Sequence, residues 1–218
     1  MNQLVKDILI NKPILNTNKV LRNTYFLLFL TLAFSGLIAT ISTIYCLPSP
    51  GLLIVIVGFY GLLFLTQKLS NSIFGIFSTF ALTGFMGYTL GPTLSKILFS
   101  GANDIIILSL VGTALILLFC SLYIFITKKN MSFLSSIIIS GFLSLFILIV
   151  INSFFNLSIV SLTISTIFII CSSASILWEI SNIIYGGETN YIRATISLYV
   201  SLYNIFVNLI SSINLLRR

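Results

Sequence analysis

Charged side chains are so few in this chain, and so evenly spaced, that they dictate what it can fold into. Uncharged stretches run from Asn23 to Gln67, Leu69 to Ser95, Ile105 to Thr127, Asn130 to Trp178 and Ala194 to Leu216. A helix needs about 20 apolar residues to cross the hydrocarbon core of a bilayer. Each stretch therefore holds at least one span, and the first and fourth hold two. With 7% of its 218 residues charged and 58% hydrophobic, the chain cannot be a water-soluble domain. The stretches lack the alternation of outer-membrane strands, so helices must satisfy the backbone in lipid. The fold class is all-α, a polytopic membrane bundle.

Residues 1–23 read as a cytoplasmic N-terminal tail, with Lys6, Lys12, Lys19 and Arg22 against the single Asp7. Pro13 and several asparagines argue there against one long helix. No small-residue cleavage pattern follows the first apolar run, so the first helix should be an uncleaved anchor. Residues 24–218 form the transmembrane domain, with seven expected spans: Thr24 to Cys46, Leu52 to Thr66, Ile73 to Ser95, Ile105 to Thr127, Ser132 to Ser153, Ile159 to Ile184 and Ala194 to Leu215. Pro48, Pro50 and Gly51 end the first span. In the third, Gly84, Gly87 and Gly91 offer a small-residue face for close helix packing, and Pro92 suggests a bend or a helix end.

Lys and Arg in alternate loops set the orientation. Lys6, Lys12, Lys19, Arg22, Lys68, Lys128, Lys129 and Arg193 fall on one side, and Lys96, Arg217 and Arg218 on the other. Eight against three places the N-terminus inside and the C-terminus outside. The net charge of +7 is thus spent on topology rather than on nucleic acid. Cys46, Cys120 and Cys171 show no CxxC spacing and the chain has no histidine, which leaves no support for a metal or thiol site. No nucleophile and base stand at usable spacing, so neither an enzyme nor a cofactor is expected.

Two polar stripes remain. Ser165, Ser172, Ser175, Glu179 and Asn182 share one side of the sixth span, and Arg193, Ser197, Ser201, Asn204, Asn208 and Ser211 share one side of the seventh. Facing stripes would put Glu179 at about the depth of Ser197. Three readings stay open: interhelical hydrogen-bonding glue worth about 1 kcal/mol per contact, a protonatable gate at Glu179, or a cation path past Glu179, Asn204 and Asn208. Between the two spans, Gly186 and Gly187 permit a turn. Thr189 or Asn190 can cap the last helix there, with Glu188 near its positive end and Arg193 just inside it.

These residues resemble the Bax inhibitor-1 family. The similar stretches are Lys19 to Leu28, Leu47 to Gly51, Gly84 to Tyr88 with Leu90 to Pro92, Met131 to Leu134, and Gly186 to Thr195 continuing to Phe206. The likeness is greatest to the bacterial branch that modulates the FtsH membrane protease. It implies a seven-helix inner-membrane protein that binds FtsH, with or without that protease's membrane-bound regulators, and restrains its attack on other membrane proteins. An ATP-driven protease must grip a flexible cytoplasmic end, and the tail with Lys6, Lys12, Lys19 and Arg22 is the available handle. The family also contains pH-sensitive calcium leak channels that resemble this chain but carry an acid on each of the last two helices. Glu179 matches the first acid, whereas Ser201 stands at the second, so the paired sensor is missing.

Overall fold

The computed structural model describes residues 2–155 and 157–217, with side chains from residue 17 onward. Among the described residues all regular structure is helical: α1 (Asn2–Ile44), α2 (Leu52–Leu69), α3 (Phe74–Phe99), α4 (Asn103–Thr127), α5 (Leu134–Phe155), α6 (Ser158–Ile184) and α7 (Tyr191–Leu216). Six of the helices, all but α3, are long and apolar enough to cross a bilayer. Their outer faces carry exposed large side chains such as Phe26, Phe64, Phe119 and Phe146, a surface suited to hydrocarbon rather than water.

One expectation is corrected at the N-terminus. The backbone is helical through Pro13, so α1 begins far upstream of the expected span. Proline removes one hydrogen bond, but a helix already nucleated by its membrane-spanning part can propagate past that gap. The side chains of Lys6 and Lys12 lie outside the described residues. Of the two expectations at Pro92, the helix end is corrected, because α3 runs on past it to Phe99.

The chain forms two compact units, Met1–Ser100 with Ile183–Tyr199, and Gly101–Asn182 with Val200–Arg218. In the first unit α3 is the interior helix. It buries Gly75, Ser78, Thr79, Thr83, Gly87 and Gly91 alongside Leu82, Met86 and Leu90, whereas α2 buries Thr66 alone. Small residues let α1 lie directly on α3: a Cβ at Gly87 would collide with the Ser35 backbone carbonyl, and one at Gly91 with the Ser42 side chain. Gly84 lies under the Phe34 ring in the same seam, and Phe34 meets Phe80 edge to face at 5.3 Å.

The same contact explains how α3 tolerates Pro92. A proline cannot donate to the carbonyl four residues back, here Tyr88. Ser42 Oγ donates to that carbonyl instead, at 3.1 Å. In lipid an orphaned carbonyl has no water to turn to. Ser42→Ala should therefore lower stability by about 1–3 kcal/mol, read as an earlier unfolding transition in detergent, with Ser42→Thr retaining part of it.

In the second unit Leu145, Ile164 and Cys171 form a core flanked by Phe142 and Phe168, and Gly141 lets α5 approach the Cys171 sulfur. Asn152 closes the α5–α6 turn, donating from Nδ2 to Ser161 Oγ at 2.9 Å and accepting the Leu157 N–H at 3.2 Å. Ser181 holds the loop after α4, donating to the Lys129 carbonyl at 3.1 Å and accepting the Met131 N–H at 3.0 Å. Arg217 pairs bidentately with Asp104, closing the end of α7 onto the start of α4.

Candidate functional site

The α6–α7 connector is built from residues with one local task each. Gly186 takes φ +76°, a conformation that costs a residue with a Cβ, and its N–H returns to the Ile183 carbonyl at 3.1 Å. Asn190 is the N-cap of α7: its Oδ1 accepts the N–H groups of Ile192 at 2.9 Å and Arg193 at 3.4 Å. Glu188 Oε1 accepts the Asn190 N–H at 2.7 Å, which places a carboxylate at the positive end of α7. Thr189 takes no part in the cap and faces the cavity described below.

The connector is also pinned to the turn between α2 and α3. Asn190 Nδ2 donates to the Ser70 carbonyl at 3.0 Å and to Asn71 Oδ1 at 2.8 Å, and Arg193 Nε donates to Ser70 Oγ at 3.0 Å. Asn190→Ala removes the cap and both of these bonds, and should destabilise by about 1–2 kcal/mol. Asn190→Asp keeps the cap but loses the two donors, so its unfolding transition should fall between the wild-type and alanine values.

Further along, the opening turns of α7 are fastened to α1 and α3. Thr195 Oγ1 donates to the Thr24 carbonyl at 3.2 Å. The buried Tyr199 hydroxyl lies 2.6 Å from Ser35 Oγ and donates to the Thr83 carbonyl at 3.3 Å. Sequence reasoning missed Tyr199, Ser70 and Thr195. Tyr199 and Thr195 fall on the same face of α7 at a spacing of four, a signal that was present but gave no hint of the partners.

An open cavity of about 490 Å³ lies between the base of α1 and the connector, lined by Thr17, Lys19, Val20, Asn23, Ile183, Gly186, Glu188, Thr189 and Tyr191. Lys19 and Glu188 both line it without forming an ion pair with each other. Arg22 does not line it.

The polar stripes are distributed differently. Glu179 is buried at 4% exposure, as are Ser165 and Ser172 on the same side of α6, while Asn182 is half-buried. On α7 Ser201 is buried, Ser197, Asn204, Asn208 and Ser211 are half-buried, and Arg193 is exposed. The most enclosed positions of α7 are Ala194, Thr195, Leu198, Tyr199 and Ile205, and all but Ala194 lie on another face. Asn208 turns back onto its own helix, donating to the Asn204 carbonyl at 2.8 Å. Ser197 belongs to the first unit, and Glu179, Asn182, Ser201, Asn204 and Asn208 to the second. Among the described residues no cluster of three or more His, Cys, Asp or Glu could hold a metal ion.

Long apolar helices, buried glycine seams and a capped connector define a polytopic helical membrane protein. The chain belongs to the family described as Inhibitor of apoptosis-promoting Bax1, whose model matches residues 17–218. It is 54% identical over 211 residues, 97% of this chain and 96% of the relative, to an Escherichia coli K12 protein named Modulator of FtsH protease YccA. The same identity and coverage hold for a protein of Escherichia coli O6:H1 named Inner membrane protein YccA. An uncharacterized membrane protein of Vibrio cholerae is 37% identical over 205 residues, 93% of this chain and 92% of that one.

Proposed function

We propose that this chain is a bacterial inner-membrane protein that binds the FtsH protease and restrains it, as a slowly degraded competitor engaged through its N-terminal tail. The observation that carries the reading is 54% identity, over 97% of the chain, to a protein named as a modulator of that protease. Its topology has seven spans with the N-terminus inside and the C-terminus outside. Helix α3 counts as a span despite its lower apolarity because it is interior, where Gly, Ser and Thr meet protein rather than lipid.

The packing of α1 supports this reading. The part of α1 upstream of Lys19 and Arg22 is short and contains Pro13, and so short a helix is marginal on its own. It can be unwound and drawn toward a protease at little cost. Force then reaches the membrane part of α1, which is held to α3 by the Gly87–Ser35 and Gly91–Ser42 contacts and to α7 by Thr195 and Tyr199. Extraction would have to break all of these inside lipid, so processing is slow while the protease stays occupied. Co-purification of FtsH with this protein after mild detergent extraction is the expected result, and its absence at native expression levels would remove the binding claim.

A second reading, a pH-sensitive cation leak, is favoured by the burial of Glu179. Liposome flux that depends on pH and is abolished by Glu179→Gln would support it. Flux absent at every pH would leave only the protease reading.

A further inference from the structure

The cavity at the base of α1 has no role in the mechanism just described, and its lining is unlike that of the seams around it. Within about 490 Å³, a volume in the range of small-molecule sites, it presents among the described residues one ammonium from α1, at Lys19, and one carboxylate from the connector, at Glu188. The two charges share one cavity and do not neutralise each other. Glu188 commits Oε1 to the Asn190 N–H, which leaves its other oxygen open to a donor. The Asn23 amide and Thr189 hydroxyl add neutral hydrogen-bonding groups to the lining.

We infer that this cavity receives the headgroup of a zwitterionic phospholipid bearing a primary ammonium, phosphate toward Lys19 and ammonium toward Glu188. A purely anionic headgroup would satisfy Lys19 but meet the Glu188 carboxylate. A quaternary ammonium has no N–H to donate to Glu188, so it forgoes the charge-assisted bond. The level of the cavity fits a lipid source. The uncharged run of α1 starts at Asn23, just after Lys19 and Arg22, α6 ends at Ile184 and α7 starts at Tyr191, so the cavity opens where three spans meet the headgroup layer. Tyr191 in its wall and the exposed Tyr185 beside it are the residue type favoured at that boundary.

The test is native mass spectrometry of the purified full-length protein in detergent, offered equal amounts of phosphatidylethanolamine, phosphatidylcholine and phosphatidylglycerol with the same acyl chains. Retention of the ethanolamine lipid should exceed the other two by about tenfold, which corresponds to about 1.4 kcal/mol. Equal retention of all three overturns the inference on the unaltered protein, without any variant. Lys19→Gln and Glu188→Gln should each abolish the preference, the latter while still accepting the Asn190 N–H, and Lys68→Gln should keep it. A preference that survives both cavity substitutions places the lipid elsewhere and overturns the site. Free phosphoethanolamine that displaces the lipid at equal concentration overturns the lipid source in favour of a soluble zwitterion. The readout is independent of protease binding, so its outcome and that of the proposed function are separable.

Discussion

Alanine at Gly91 will push α1 away from α3 and lower the stability of the protein by about 1–3 kcal/mol, with alanine at Gly87 costing a similar amount. The added Cβ at Gly91 meets the Ser42 side chain, whose hydroxyl is needed by the Tyr88 carbonyl, so relief by rotating Ser42 sacrifices a buried hydrogen bond. At Gly87 the obstacle is the Ser35 backbone itself, which no rotamer change relieves. The two substitutions act on one seam, so their combined cost should depart from the sum. Gly36 and Gly61 provide the control, because a Cβ at either has open space around it. Alanine there should be neutral or slightly stabilising. Unfolding in mixed micelles followed by helical circular dichroism separates the two groups; equal behaviour of Gly36→Ala and Gly91→Ala would refute the seam.

A variant lacking residues 2–16 should lose FtsH-dependent turnover altogether. That deletion removes the opening turns of α1, upstream of its uncharged run from Asn23, and leaves the contacts of Ser35 and Ser42 with α3 in place. Pulse-chase in cells with and without active FtsH measures it directly. The full-length chain should decay only where the protease is active, and the truncated one should persist in both. Turnover of the truncated form at the full-length rate would show that the protease grips the chain elsewhere.

Why some of this was legible in the residues, and some was not, follows from the range of each interaction. The helices were readable because charge is too costly in lipid to be scattered, so Lys68, Lys96 with Asp104, and Lys128 with Lys129 mark the breaks almost directly. Gly87 and Gly91 announced close packing through their spacing. The connector announced a cap through Thr189 or Asn190, of which Asn190 serves. What could not be read is the identity of partners distant in sequence: Ser42 for the Tyr88 carbonyl, Ser70 for Asn190 and Arg193, Ser35 and Thr83 for Tyr199. Each of those is set by helix placement, to which a serine or tyrosine in an apolar run is indifferent. The start of α1 is not legible locally, because Pro13 and the asparagines weigh against a helix, while the long helix behind them favours its continuation. The stripe on α7 rests on polarity alone, whereas the face the structure encloses most is largely apolar and anchored by the Tyr199 hydroxyl.

The central claim, restraint of a membrane protease by a chain that resists extraction, is tested most directly by reconstitution. FtsH in proteoliposomes with ATP and a readily degraded membrane substrate should digest that substrate more slowly as this protein is titrated in, with inhibition fading when residues 2–16 are removed. Substrate digestion at an unchanged rate, with this protein present in excess and correctly inserted, would contradict the account.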